Sequence, residues 1–289
     1  MTAINPAIAA AIALAKAAED QSKVVAGGGE YTPPAAGKCA ARLVGYFELG
    51  KEQYDFKGTP KTKDKVRLVF ELLGKNHAPK EITVDGVTIL IPVRITININ
   101  KSFGENGKWR KLFAKLNYDG SITHAAERIG HPFLVEVVHG KSADGKRTFA
   151  NLDNAAGEFL IGAARIPVVD EDTGEMSEKA LNVPPALTEQ KMFLWDFCDK
   201  AMWDSIFIEG EYPERTENGV TTPAKSKNVL QNEIKAADNY IGSPIYDILA
   251  GAGEELDIAD AETAVSVGAA SNPPPAAEQT GADDPLAGM

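Results

Sequence analysis

Alternation of apolar and polar residues along the chain predicts β-strands in its first half. A first strand is predicted over 41–49 with Tyr46 on its outer face, and a second over 65–72 with Lys65 and Arg67 outward. The polar stretch between them contains turn residues and predicts a loop. Each strand has one apolar face, so both are expected to cover a common core.

A third strand is predicted over 89–99, where isoleucines alternate with polar residues that include Arg94. The Asp85-Gly86 pair before it is typical of a tight turn and predicts a hairpin with residues 81–84.

The helical period replaces the strand period over residues 108–117, where apolar residues recur on one face and basic residues occupy the other. Two further strands are predicted over 133–139 and 147–152, and a strand-like run continues over 158–166. Three strands, a helix and two strands is the element order of an OB-fold. The pattern therefore predicts a mainly β (α+β) fold with an OB-fold-like five-stranded β-barrel over residues 38–169.

The C-terminal part of the chain predicts accessory helices. Leu187 and Thr188 precede a dense apolar run and are typical of a helix start, and a second helix is predicted over 226–241. The region 170–250 is therefore predicted to be helical. Its apolar segments would pack on the barrel or across a homodimer contact.

The net charge of −11 is unevenly distributed along the chain. Residues 1–37 carry −1, residues 38–160 carry +6 and residues 161–289 carry −16. The segment 251–289 has eight acidic groups and neither basic nor aromatic residues, which predicts a disordered acidic tail. The triple glycine and paired prolines within 1–37 predict a flexible N-terminal arm. A positive middle joined to a negative end favours a polyanion binder with an acidic tail.

Aromatic and basic residues are interleaved in the predicted loops and on the outward strand positions. This combination is what single-stranded nucleic acid requires, because bases stack on aromatic rings while cations follow the phosphates. The candidate DNA-binding residues are Tyr46, Tyr54, Phe56, Lys57, Lys61, Lys63, Lys65, Arg67, Arg94, Lys101, Phe103, Lys146, Arg147 and Phe149.

The common catalytic motifs for phosphate, acyl-transfer and zinc chemistry do not occur in the sequence. Cys39 and Cys198 are far apart and have no metal-type spacing with the four histidines. We therefore expect neither an enzyme nor a metal or other cofactor. Charged residues interrupt the N-terminal apolar stretch well before it reaches the length of a membrane span, so a cytoplasmic protein without membrane contact is expected.

Residues 38–250 resemble the single-stranded-DNA-binding proteins of tailed phages. The resemblance is carried by ARLVGYFELG with KVRLVFELL, by GHPFLVEVVHGKSADGKRTFANL, and by MWDSIFIEGEY followed by KSKNVLQNEIKAADNYIGSP. It implies an OB-fold core, non-catalytic binding of single strands during replication and recombination, and contact with replisome proteins. It also implies that Lys65 and Arg67 lie on the binding face.

The end of the chain is similar to the acidic, hydrophobic-tipped tails with which single-strand binders recruit polymerases, helicases or nucleases. Its candidate partner-binding residues are Asp283, Asp284, Pro285, Leu286 and Met289. It has no terminal phenylalanine, and an inert solubilising tail is the alternative.

The sequence thus predicts a protein that coats single-stranded DNA largely independently of base sequence. Two other functions stay open: a single-strand annealing recombinase and an OB-like adaptor that binds protein.

Overall fold

The chain is built mainly from β-strands, which a computed structural model describes over residues 32–84, 87–169, 173–217 and 220–252. The strands are β1 (Gly37–Phe56), β2 (Thr59–Leu73), β3 (Lys80–Val84), β4 (Val87–Ile91), β5 (Arg94–Asn100), β6 (Pro132–Lys141), β7 (Thr148–Asn151), β8 (Ile161–Ala163), β9 (Arg165–Val169), β10 (Met176–Ala180), β11 (Lys191–Phe193), β12 (Glu211–Tyr212), β13 (Arg215–Glu217), β14 (Val220–Thr222) and β15 (Lys225–Ser226). The α-helices are α1 (Lys108–Leu116), α2 (Lys200–Ser205), α3 (Val229–Lys235) and α4 (Pro244–Gly251).

A large sheet contains seven of these strands. Its path runs β5-β2-β1-β6-β7, with β8 paired to β6 and β11 paired to β1. All pairs are antiparallel except β1 with β11. The end strands β5 and β7 contact each other, but no hydrogen-bonded ladder joins them in the described part of the chain. The mainly β prediction is confirmed, whereas the sheet is not closed into a barrel.

The predicted loop between the first two strands is instead a long β-hairpin, so that prediction is wrong. Strands β1 and β2 remain paired as far as Phe56 and Thr59. The two residues between them, Lys57 and Gly58, have φ of 55° and 79°. Positive φ at both positions is the geometry of a two-residue hairpin turn whose twist matches the strands. We call residues 50–65 the hairpin arm.

Two β-bulges in β1 reverse which face its side chains occupy. The register against β2 shifts between Leu43 and Gly45 and again between Glu48 and Gly50. Because side chains alternate with a period of two, each extra residue moves the following ones to the opposite face. Tyr46 therefore points into the core and is fully buried, which corrects its predicted outward position.

The predicted third strand is divided at Pro92. The preceding part, β4, pairs with β3 in a separate two-stranded sheet, which confirms the predicted hairpin although its turn lies outside the described residues. The following part, β5, pairs with β2. Proline has no backbone N–H to donate to a ladder, which explains why one continuous strand does not form.

Two hydrophobic cores lie on opposite faces of the β1–β2 ladder. The first core joins residues such as Leu43, Tyr46, Leu68, Phe70 and Phe133 with the apolar face of α1, contributed by Trp109, Leu112 and Leu116. The second core joins Phe47 and Leu49 with C-terminal residues that include Phe193, Trp195, Trp203 and Ile234.

The region 170–250 is less helical than predicted. Its apolar run forms β11 parallel to β1, and α2 begins only at Lys200. The preceding residue, Asp199, caps the helix, since its side chain accepts a hydrogen bond from the Met202 amide at 2.7 Å. Helix α3 has only seven residues. Ser243 and Pro244, which follow the predicted helix 226–241, start α4 as its cap and first residue.

Strands β13 and β14 pair in antiparallel orientation, with register pairs from Arg215↔Thr222 to Glu217↔Val220, and belong to a different unit from the large sheet. Across the described ranges, no helix has the length and apolar character needed to cross a membrane.

Candidate nucleic-acid interface

One face of the hairpin arm collects several of the predicted binding residues. The register places Gly50 opposite Lys65, Glu52 opposite Lys63, and Tyr54 opposite Lys61. Directly opposed residues of an antiparallel pair share a face, and every second residue along a strand does too. Three lysines of β2 therefore share one face with Tyr54 of β1.

The Tyr54 ring is held in place by a cation. The Lys63 Nζ lies 3.8 Å from the centroid of this ring, which is a cation–π contact. Tyr54 is only half-buried. Because the ammonium covers one side of the ring, a stacked base would use the opposite side.

Lys65 lies at the base of the arm and is partly neutralised. Its Nζ is 3.1 Å from Glu52 Oε2, and both side chains remain accessible, at 24% and 54% of their area. An exposed ion pair of this kind contributes little to stability, so a phosphate could displace the carboxylate at small cost.

Arg67 lies two residues further along the same face, but its guanidinium group is occupied by internal contacts. Its Nε donates to Asn98 Oδ1 at 2.7 Å, and its Nη2 lies 2.8–2.9 Å from the two carboxylate oxygens of Glu233 in α3. The arginine and glutamate side chains are only 13% and 10% exposed. This corrects the expectation that Arg67 lies open beside Lys65, since its charge is used to attach α3 to the sheet.

Lys101 is also committed to an internal contact. Its Nζ lies 2.5 Å from Glu48 Oε1. The same oxygen accepts a hydrogen bond from the Tyr46 hydroxyl, and the other carboxylate oxygen of Glu48, Oε2, accepts one from the Trp195 amide at 2.9 Å. Burial raises the pKa of Glu48, but the hydrogen bonds and charge of its partners outweigh burial and hold that pKa below its usual value. Burial and the same carboxylate raise the pKa of Tyr46 far above its usual range. Tyr46 cannot stack on a base.

Phe103 is the most accessible of the predicted aromatic side chains that the structure describes, with 73% of its surface exposed. It follows β5 closely, and β5 ends with Asn100 opposite Lys65. The Lys101 amide also donates to the Asp64 carbonyl at 2.7 Å. These backbone contacts place the start of the Phe103 loop beside the base of the arm.

Arg94 is exposed but lies at the other end of the β2–β5 ladder, opposite Glu71. Glu71 is buried and accepts the amides of Leu187 and Thr188 at 2.8 and 2.7 Å. The structure therefore does not bring Arg94 to the arm.

The β6–β7 loop presents Lys146 and Arg147 to solvent. Phe149 opposes Gly140 across this hairpin, and its ring lies over the glycine so closely that an added Cβ there would be 2.6 Å from the ring. The ring therefore has a packing role on β6, a role that the sequence does not reveal.

The remaining predicted residues lie on the arm or outside the described residues. Lys57 is exposed in the turn at the arm tip and Lys61 on β2, whereas the Phe56 side chain lies outside the described residues. The five predicted tail residues also lie outside them.

No group of histidine, cysteine, aspartate and glutamate side chains suited to a metal is present within the described ranges. Burial raises the pKa of the Cys39 thiol to about 11 and also raises that of Cys198. Such thiols stay protonated near neutral pH and are poor nucleophiles.

Comparison with known proteins gives no assignment. No family model, no curated protein and no solved structure matches this chain.

Proposed function

We propose that this protein binds single-stranded DNA without modifying it, and that the hairpin arm is the centre of the binding surface. The observation that carries the proposal is the shared arm face, where Lys61, Lys63 and Lys65 of β2 lie beside Tyr54 of β1. Stacking on an aromatic ring contributes about 1–3 kcal/mol per base, and lysines along the strand match the spaced phosphates.

We further propose that the open sheet is an OB-fold. Three strands, a helix and two strands follow one another as β1, β2, β5, α1, β6 and β7, with the β3–β4 hairpin inserted after the second strand. An OB-fold is a partly open barrel that binds oligonucleotides on the face of its second and third strands and on two adjoining loops. In this chain those parts are β2 with β5, the arm, and the β6–β7 loop.

The charge distribution supports the same proposal. The segment 38–160 carries +6 although the whole chain carries −11, so the sheet is locally positive. A local positive potential attracts a polyanion even when the protein is acidic overall. We propose that the acidic segment 251–289 serves partner recruitment during replication or recombination, as in the phage proteins that the sequence resembles.

The structure refines how the role of this acidic segment should be tested. Leu249 of α4 is buried in the second core, so a truncation should remove only residues 253–289, which still contain all eight acidic groups. As a ligand on the same chain, these groups would compete with phosphates for the basic face. The truncated protein should bind oligo-dT more tightly at low salt, with a difference that shrinks as salt rises.

Fluorescence anisotropy with labelled oligo-dT, duplex DNA and RNA across a salt series tests the proposed function. If about five phosphates are neutralised, log affinity for single strands should fall with log salt at a slope near −3.5. Tighter duplex binding, or a response independent of salt, contradicts the proposal.

The alternative functions give different results in related experiments. An annealing recombinase would form rings visible by electron microscopy in the presence of an oligonucleotide. A protein-binding adaptor would not shift a long oligonucleotide in a gel at low salt.

A further inference from the structure

Helix α1 exposes a set of cations that the arm does not include. Its buried residues are Trp109, Leu112 and Leu116, whereas Arg110, Lys111 and Lys115 are exposed. Within the described chain no carboxylate forms an ion pair with these three side chains, although Lys108 pairs with Asp153 at 2.8 Å. We call the three unpaired residues the α1 basic face.

The position of Arg110 and Lys111 is unfavourable for the isolated helix. The first turn of α1 contains Lys108, Arg110 and Lys111 and has no acidic residue, and Gly107 provides no side-chain cap. Positive side chains near a helix N-terminus are repelled by the helix dipole. Adjacent cations also repel one another, as Lys111 and Lys115 do at a spacing of four residues. Residues that oppose local stability without a compensating contact are expected at functional sites.

The chain path connects the α1 basic face to the arm. Strand β5 ends at Asn100, opposite Lys65, and α1 begins at Lys108 after the loop that exposes Phe103. A tight turn shortens this connection, since the Gly107 amide donates to the Gly104 carbonyl at 2.9 Å. Phe103 therefore lies along the chain between the arm and α1. Because α1 packs on the first core, across the ladder from the arm face, a strand leaving the arm would pass over the β5 end of the sheet to reach it.

We propose that the α1 basic face binds the phosphate backbone of single-stranded DNA that leaves the arm past Phe103. This inference rests on the proposed function and extends its surface. The face carries charge without an aromatic residue of its own, so it would hold phosphates without reading bases. A short oligonucleotide would occupy only the arm, whereas a longer one would reach α1.

The test compares wild-type protein with the neutralised variant Arg110→Gln/Lys111→Gln/Lys115→Gln. A matched control, Lys75→Gln/Lys80→Gln/Lys179→Gln, removes the same charge from exposed positions away from this path. Each protein is titrated with oligo-dT of about 8 and about 30 nucleotides, lengths below and above a typical single-fold site. Thermal unfolding of all three proteins establishes that the fold is retained.

With the long oligo-dT, the slope of log affinity against log salt should be smaller in magnitude by about 1.4 in the α1 variant, which is about 0.7 for each of the two phosphates that the arm lysines do not neutralise. With the short oligonucleotide, the α1 variant should show the same slope as wild type. The control variant should match wild type at both lengths. An unchanged slope with the long oligonucleotide, or an equal loss at both lengths, would overturn the role of α1 while leaving arm binding intact. Failure of the wild-type protein to bind either length would instead refute the proposed function itself.

Discussion

The two halves of the β1–β2 ladder present the same face to very different surroundings. On the inner half, Phe47 packs with Phe193 and Trp195 in the second core, and Arg67 is paired with Glu233. On the outer half, the arm carries lysines and Tyr54, and these residues belong to neither core in the part of the chain that the structure describes. One strand face is thus used for folding along part of its length and, in our proposal, for DNA binding along the rest.

The boundary between the two halves lies at Gly50. This residue has φ of +81°, and the Trp195 ring lies where a Cβ would be, at 2.3 Å. Only glycine combines this backbone conformation with such a close approach. The comparison shows that the C-terminal region fixes where the covered surface ends, and therefore which cations remain available.

The largest expected effect is on stability, from Gly50→Ala. The added methyl group must displace the Trp195 ring and adopt a left-handed conformation, so we expect a loss of about 3 kcal/mol in the free energy of unfolding. Gly58→Ala is the matched control, because Gly58 has φ of +79° with no atom within 4 Å of the added Cβ. The control should lose only the cost of placing alanine in a left-handed backbone conformation, which is about 1 kcal/mol of the free energy of unfolding. Equal losses in urea unfolding would show that Trp195 does not define the boundary.

Arg67→Leu should be about as damaging to stability as Gly50→Ala and should separate the two halves by function. Removing the arginine leaves Glu233 mostly buried without its cation, which costs about 3 kcal/mol. The double variant Arg67→Leu/Glu233→Leu should recover most of this loss while leaving oligo-dT affinity unchanged. If the double variant is fully stable but binds DNA much more weakly, Arg67 belongs to the binding surface after all.

Tyr54→Ala should show the opposite behaviour from Arg67. Loss of a stacking ring should weaken oligo-dT binding by about 1–3 kcal/mol, and the thermal unfolding midpoint should not change because the ring is outside both cores. Tyr54→Phe keeps the ring and is expected to bind like wild type. A weak Tyr54→Phe variant would indicate that the hydroxyl group, rather than stacking, makes the contact.

The smallest effect concerns the acid stability of the boundary. The pKa of Glu48 is lower in the folded state, so its charged form stabilises the fold above the usual glutamate pKa. That contribution is lost as pH falls through the lowered pKa. Glu48→Gln should therefore reduce stability at neutral pH by about 1 kcal/mol and flatten the decline in acid. Urea denaturation at a series of pH values measures the free energy of unfolding of both proteins. An equal decline with falling pH in wild type and variant would argue against this role of Glu48.

Elements with a core beneath them could be predicted from sequence. The helical spacing of Trp109, Leu112 and Leu116 gave α1, and alternation gave β2 and β6, because each buries one face. The arm could not be predicted in this way. Neither side of the ribbon covers a core, so polar residues occupy both faces and resemble a loop.

The candidate site was only partly predictable for the same reason. Lys65 was found because the predicted second strand alternates regularly, and Lys61 and Lys63 because they cluster with aromatic residues in a predicted loop. Tyr46 was misplaced because the bulge before Gly45 reverses the faces of β1. The burial of Arg67 depends on Glu233, which lies 166 residues away in sequence. Such long-range pairing leaves no local pattern.

The most direct test of the account removes the charge of the outer half alone. The variant Lys61→Gln/Lys63→Gln/Lys65→Gln and the wild-type protein are titrated with labelled oligo-dT across a salt series. For wild type we expect a slope near −3.5, and for the variant a slope near −1.4, since about 0.7 is lost for each of three phosphates. Equal slopes and affinities for the two proteins would contradict the claim that the arm binds single-stranded DNA.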